Sequence, residues 1–401
     1  MEDRSMTGER VQGISLCVAG WWPEEGSVNG IFIREHVKAI ARYRPVEVVY
    51  LTVHKSRFPW PRVRCTRQMD DGVPVHRLTI HTPVRRFGFP RTLAKVAFRR
   101  LFERIKARGP VAIVHIHVRT EVTEAALYAA TRLRLPVVLT EHNSFYHLGI
   151  RALPPAEQTR TRNAISAWLA HKEILHLMPV SHDLEHVLAA DYGVDPKRMT
   201  VVRNVAAEVF MPAEVPQGRA FHLLLAAVWR PPKDHDVLIR ALAMLPGEAK
   251  GSLVVEWAGY GPDMARIKER CGTELPGMDI RFPGLMDKPT LARSMQQAHL
   301  FVLPTKADNF PCVILESLCC GTPVVSMAVN GVPEMIDASN GVLVPPSDPS
   351  ALADALLACI TGKVVFDRHH IASQALARYA PASIGQAIEE VYVRVINLHR
   401  P

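Results

Sequence analysis

PTKADNFPCVILESLCCGTPVVSMAVNGVPE, residues 304–334, sets a strand end, a helix start, two acidic side chains and two glycine turns within about one βα unit. The apolar run LFVLP (300–304) leads into it, and a closing proline cannot continue a ladder, so a buried parallel strand is expected to end there. Asp308 and Asn309 stand where a helix cap belongs, and Pro311 suits the first helical turn, where its missing N–H is no loss. The expected helix runs over 311–320 and stops at Gly321, with Val313, Ile314, Leu318 and Cys319 facing the sheet. The free N–H groups over 309–313 carry the positive end of the helix dipole and would hold a diphosphate. Glu316, more than one turn on, could take hydrogen bonds from adjacent ribose hydroxyls. Asp308, at the carboxyl end of the strand, would point into the crevice where open α/β sheets bind ligands. Either acid alone reads as a cap or a solvated helix residue; their joint placement points to a ligand.

The same alternation of strand and helix continues on both sides. In the amino half GISLCVAG leads through a glycine-containing loop into an amphipathic helix over 31–42 and a strand at 46–51. Further strands are expected at 75–79, 111–117, 136–140 and 176–179. After a polar segment at 206–220 that resembles a linker, others follow at 221–228, 253–259 and 280–282. Strands alternating with helices imply parallel sheets with covered faces, and 401 residues suffice for two domains with a core each.

Composition narrows the class. A hydrophobic content of 48% is that of a soluble globular protein. No apolar run reaches the roughly eighteen residues that cross a bilayer, and the charged opening lacks a signal-peptide core, so the cytoplasm is the expected compartment. Seven cysteines, odd in number and without C-x-x-C spacing, argue against both a disulfide framework and a zinc site. Cys17, Cys312, Cys319 and Cys320 are expected to pack as small apolar residues.

Charge is unevenly shared: 31 Lys and Arg stand against 19 Asp and Glu up to residue 205, and 17 against 20 beyond it. The densest basic stretch, 85–108, holds Arg85, Arg86, Arg91, Lys95, Arg99, Arg100, Arg104, Lys106 and Arg108 around an apolar stripe of Leu93, Val96, Ala97, Leu101 and Ile105. That is either a core-packed helix with a solvated face or a docking surface for an anionic membrane, where each cation contributes about 1 kcal/mol. No recognised motif or interleaved aromatic pattern accompanies the charge, so nucleic acid is not an expected partner.

The segment 308–334 resembles the carboxyl-domain signature of the retaining glycosyltransferases of family 4. Asp308, Asn309, Phe310 and Pro311 occupy its opening, followed by Glu316, the GTPVV run at 321–325 and the Gly-x-Pro-Glu turn at 331–334. Asp308 replaces a glutamate that in the family contacts the transferred sugar, and Pro311 replaces a glycine, which removes a backbone donor. The resemblance implies the α/β GT-B fold, with two Rossmann-like domains facing a deep interdomain cleft. Residues 1–205 would bind the acceptor and 206–379 the nucleotide sugar, while a terminal helix over 380–401 crosses back to the amino domain.

Further matches distribute the implied roles. The loop 26–30, followed by Phe32, Arg34 and His36, corresponds to the family's glycine loop and makes Gly30 a candidate for donor diphosphate contact. LTEHNSF places Glu141 and His142 after a strand, with His142 in the active-site position. In LLLAAVWRPPKDHDVLIRAL, Lys233 aligns with the family's phosphate-binding lysine. The partner arginine's place holds Val228, and Arg230 is the candidate substitute. Asp234 and Asp236 spell D-x-D but sit at a helix start and read as cap and first-turn acids, so no metal is inferred. GYGPD (259–263) matches a glycine turn, and Gly284 and Met286 stand where the family's backbone lines the nucleobase pocket.

Taken together, His142, Lys233 and Asp308 are the implied catalytic residues. Gly30, Arg230, Met286, Asn309, Phe310, Pro311, Val313 and Glu316 are the implied donor-binding ones. The implied reaction is retaining, metal-independent transfer from a UDP- or GDP-type sugar, with no cofactor, to a glycan or lipid-linked acceptor in polysaccharide or glycolipid synthesis. Two rivals stay open: a glycoside hydrolase, which needs two carboxyl groups about 5 to 9.5 Å apart, and a binding protein that kept the fold but lost activity.

Overall fold

The computed structural model describes residues 13–399 apart from 25–26, 59, 84–89 and 215–219; Gly26, Arg85 and Arg86 lie outside the described residues. The first of two sheets is built from β1 (Ile14–Ala19), β2 (Val46–Lys55), β3 (Arg62–Asp70), β4 (Val73–Thr82), β5 (Val111–His117), β6 (Val137–Glu141) and β7 (Ile174–Pro179), in the order β3-β4-β2-β1-β5-β6-β7. The second holds β8 (Phe221–Val228), β9 (Leu253–Tyr260), β10 (Asp279–Gly284), β11 (Leu300–Leu303), β12 (Val324–Met327) and β13 (Gly341–Val344), in the order β10-β9-β8-β11-β12-β13. In each, the chain starts in the middle, winds out one way and returns to wind out the other. A crevice therefore opens at the carboxyl ends where the direction reverses, beside β1 and β5 in one sheet and between β8 and β11 in the other.

The strand sequences show why these elements are buried on both faces. Along β1, Leu16 and Val18 pack with Phe98, Leu101 and Phe102, while Cys17 and Ala19 pack on the opposite face with Ile33, Val37, Ile388 and Tyr392. Every strand pairing is parallel except β3 with β4. Sequence reading missed β3, which is exposed along nearly its whole length and buries neither face. Its signal was the Asp71-Gly72 turn, where both residues have positive φ (47° and 81°), as a two-residue hairpin requires. Also missed were β12 and β13, four-residue runs short enough to pass as loop.

Two expectations need correction. The basic helix (Arg91–Lys106) buries Ala94, Ala97, Phe98, Leu101, Phe102 and Ile105, so its buried face is turned toward the two phenylalanines and Val96 is left 37% exposed. The segment taken for a polar linker begins as core: Ala206, Ala207 and Phe210 are buried, and the Ala206 N–H donates to the Tyr379 carbonyl at 2.9 Å. No described helix is long and apolar enough to cross a membrane.

The helix Pro381–His399 returns to the first sheet's side, as expected. A Cβ at Gly385 would overlap the Ala39 carbonyl, which shows how closely this helix lies on Ile31–Ala41. Tyr392 shares a 2.7 Å hydrogen bond with His115, and the Arg44 guanidinium forks onto the Glu389 carboxylate. A second tie runs the other way: the Glu334 carboxylate accepts the N–H groups of His182 (2.9 Å) and Asp183 (2.8 Å), at the start of the helix His182–Tyr192. These contacts set the two sheets' crevices facing each other.

Candidate active site

A cavity of about 460 Å³ fills the space between the crevices. Its carboxyl wall begins where the loops after β8 and β11 are stitched together. The Asp234 N–H donates to the Pro304 carbonyl at 3.0 Å and the Lys306 N–H to that of Pro232 at 2.9 Å, with a bridge between Lys233 and Thr305. This brings the Lys233 ammonium onto the Asp308 carboxylate as a largely buried ion pair at the switch point. Asp308 is therefore no helix cap. The helix (Cys312–Cys319) starts one residue later than expected, with Pro311 in the capping position and no side-chain cap. Asn309 is not a cap either; its Nδ2 donates to the His142 carbonyl at 3.2 Å.

Glu316 lies on the second turn of that helix, buried, and burial pushes its carboxyl up to about 7. Lys288 opposes that shift and Glu35 adds to it. These two form a 2.6 Å ion pair between the helices Lys288–Gln297 and Ile31–Ala41, on opposite sides of the cleft. Met286, Leu285 and Tyr260 continue the wall. Gly259, at φ 119°, is a required glycine, because a Cβ there would overlap the Ala227 carbonyl.

Among the described residues, the amino wall lining the cavity carries no acidic or basic side chain besides His142. His142 follows β6, shares a 2.9 Å hydrogen bond between Nδ1 and the Asn204 side-chain oxygen, and packs against Phe32 with ring centres 4.5 Å apart. Burial, aided by neighbouring His36 and His117, holds the His142 imidazole well below its ordinary range, so it is uncharged at neutral pH. Asn204 also donates through Nδ2 to the Phe310 carbonyl at 2.7 Å, which joins His142 to the helix start of the facing domain. Glu141, beside it, is buried and pushed up to about 7 by burial, against the Arg119 N–H that donates to it at 2.7 Å.

Of the residues singled out in the sequence, His142, Arg230, Lys233, Met286, Asp308, Phe310, Pro311, Val313 and Glu316 line one cavity. Arg230 is exposed at its rim. Gly30 and Asn309 do not line it. Gly30 caps the helix Ile31–Ala41 at φ 78° with the Trp21 carbonyl 2.6 Å from where a Cβ would stand, so its freedom serves the loop's packing on Trp21. Sequence reading missed Asn204, Glu35 and Lys288. None belongs to a recognisable motif, and each acts on a residue far away in the chain.

Residues 30–206 match the family described as Glycosyltransferase Family 4, and residues 220–362 that described as Glycosyl transferases group 1. The chain is 31% identical over 335 residues to D-inositol 3-phosphate glycosyltransferase 1 of Catenulispora acidiphila, covering 76% of this chain and 77% of that protein. For the D-inositol 3-phosphate glycosyltransferase of Kribbella flavida the identity is 30% and the match covers 65% of each chain. The phosphatidylinositol N-acetylglucosaminyltransferase gpi3 subunit of Schizosaccharomyces pombe is 24% identical, over 81% of this chain and 70% of its own. Among solved structures, Anabaena HepE in complex with UDP and glucose superposes with a TM-score of 0.70 at 16% identity, over 94% of this chain and 99% of its own. Sucrose-phosphate synthase from Thermosynechococcus elongatus gives 0.72 at 17% identity, over 96% and 100%. These likenesses establish the GT-B fold.

Proposed function

The chain belongs to Glycosyltransferase Family 4, and from that membership we propose that its cavity takes a nucleoside diphosphate sugar and passes the sugar to an acceptor hydroxyl with retention of configuration and no metal ion. The observation that carries this reading is the Lys233–Asp308 ion pair beside an uncapped helix start, facing an uncharged His142 across the cavity. Departure of the diphosphate builds negative charge on its oxygens while positive charge grows on the anomeric carbon. Lys233, the rim cation Arg230 and the N–H groups at the helix start meet the first charge. A neutral imidazole on the other side places no cation beside the second. Asp308 orients Lys233 and offers its remaining oxygen to a sugar hydroxyl, and Glu316 accepts from the ribose. The backbone around Met286 lines the base. Asn309 acts by holding His142, and Gly30 by shaping the loop under Trp21.

In this reading residues 1–205 hold the acceptor and 206–379 the donor, with 380–401 coupling the two. Relatives named for inositol phosphate and phosphatidylinositol make a phosphorylated inositol, free or in a lipid, the first acceptor to try. The exposed cations on Arg91–Lys106 would suit an anionic membrane carrying such a lipid. Asp308, committed to Lys233, is poorly placed to act as a hydrolase acid.

The test is a panel of UDP-, GDP- and ADP-sugars assayed with and without inositol 3-phosphate, in buffer with and without EDTA. Transfer from one donor is expected, not lost in EDTA, with the donor's anomeric configuration preserved in the product's NMR couplings. Absence of both transfer and hydrolysis across the panel, together with no rise in melting midpoint with any free nucleotide, would overturn the reading.

A further inference from the structure

Behind His142 three imidazole rings from separate elements converge. His36 comes from the helix Ile31–Ala41, His117 ends β5 and His142 follows β6. Ring centres are 5.1 Å apart for His36 and His142, 5.7 Å for His36 and His117, and 5.8 Å for His117 and His142. One nitrogen from each lies within 4.8 Å of the other two.

His36 and His117 are fully buried, and neither nitrogen of either ring meets hydrogen-bond geometry with a protein partner. The backbone of Arg203 comes close enough to His36 to favour its proton slightly, without meeting that geometry. His142 spends Nδ1 on Asn204, while its Nε2 is shielded from solvent and unpartnered. Buried polar atoms are almost always satisfied, so five unpaired ring nitrogens in one place call for an occupant. Uncharged imidazoles with nitrogens gathered this closely are the usual ligands of a borderline-soft cation.

A neighbouring group, Cys17, His115 and His117, has similar spacing. It is the weaker candidate because His115 is already satisfied at both nitrogens, by the Tyr392 hydroxyl and the Thr140 hydroxyl at 2.7 Å each.

We propose that His36, His117 and His142 form a three-imidazole site for a divalent transition-metal ion of the zinc class, reached through the cavity that His142 lines. Nitrogens within 4.8 Å of one another can close on a common centre at about 2.0–2.1 Å by ring rotation, leaving a fourth position for water. The site lies outside the diphosphate-binding wall and supplies nothing to the transfer described above. Its ion takes His142 Nε2 and fixes a ring that lines the cavity, so occupancy suppresses transfer. That consequence rests on the transfer reading; metal binding does not.

Cobalt(II) added to the full chain tests the site without any turnover assay. The expected result is one ion per chain with the intense visible absorption of tetrahedral cobalt, displaced by Zn²⁺. His36→Gln and His117→Gln should each weaken binding by at least the roughly 10- to 100-fold that loss of even an outer-shell partner causes. Cys17→Ser should leave the spectrum unchanged. As a check on folded variants, Zn²⁺ should raise the melting midpoint of the wild type and not that of His36→Gln. A cobalt spectrum that survives both histidine substitutions, one lost in Cys17→Ser, or an equal zinc-induced rise in wild type and His36→Gln would each overturn the assignment. Zinc that binds but leaves transfer unaltered would overturn the coupling to His142.

Discussion

Lys233 and Asp308 face each other at the switch point of the second sheet as opposite charges, while His36, His117 and His142 gather at the corresponding end of the first sheet as uncharged rings. The carboxyl wall keeps the Lys233 and Asp308 charges by pairing them and leaving them partly open to solvent, while burial pushes Glu316 up to about 7. The amino wall buries its titratable groups so deeply that they lose their charge. For a reaction that separates a diphosphate from a sugar carrying positive character, this asymmetry has a use: fixed cations belong on one side and neutral hydrogen-bonding groups on the other.

The sharpest attack on that division is Lys233→Ala. Removing a preorganised donor to the leaving group should lower kcat by about 100- to 1,000-fold with the fold intact, read by steady-state kinetics beside a heating curve. Near-normal turnover would place the leaving-group contacts elsewhere.

Glu316→Gln probes the one deeply buried acid of the carboxyl wall. If, as proposed, its ionised form accepts the ribose hydroxyls, loss of that charge should weaken donor binding by about 1.5–3 kcal/mol, the range for hydrogen bonds to charged groups. The wild-type donor KM should fall as pH rises through about 7 and then level off, a trend the variant lacks. Stability should move the opposite way. The unfolded chain releases this proton near 4.5 and the folded protein near 7, so over that interval the folded state holds the extra proton and Glu316 lowers stability as pH rises. Glu316→Gln should therefore melt higher than wild type at pH 8, and an identical pH dependence of the midpoint in both proteins would refute the buried-acid account.

The two smaller effects test how the walls are joined. Asn204→Ala breaks the bridge from His142 to the Phe310 carbonyl and leaves buried partners behind, for an expected loss of about 1–3 kcal/mol, divided between stability and kcat. A change in melting midpoint with unaltered kcat would mean that His142 needs no such support. Glu334→Ala removes a carboxylate from a helix start in the facing domain and should cost about 0.5–2 kcal/mol, with donor affinity little changed. A large rise in donor KM would show that this tie sets the cleft's width.

Legibility in the sequence follows the same division. The helix start and Glu316 stood out because one strand, its loop and the next helix place them within a few residues of one another, where dipole arguments apply, whereas Lys233, in a separate strand-loop-helix unit, stood out only through the family resemblance. All three line one cavity, but the capping role offered for Asp308 does not hold, because the adjoining loop supplies Lys233 as a stronger partner. β3 escaped because Arg67 interrupts the alternation of Val63, Cys65 and Met69 with polar residues and the strand, at a sheet edge, buries neither face. Absence of C-x-x-C spacing spoke only to cysteine zinc sites and could not register three histidines at positions 36, 117 and 142.

From its sequence alone, the chain's strand-helix alternation, its two sheets and the helix start after Phe310 could be read, because these rest on local periodicity and on residues within single βα units. Only the tertiary structure decided that Glu35 of one domain would pair with Lys288 of the other, that Asn204 would bridge the cleft, and that His36 and His117 would meet, unpartnered, behind His142. Those contacts depend on how the two sheets face each other and on the returning helix Pro381–His399, a geometry that no local pattern of side chains specifies.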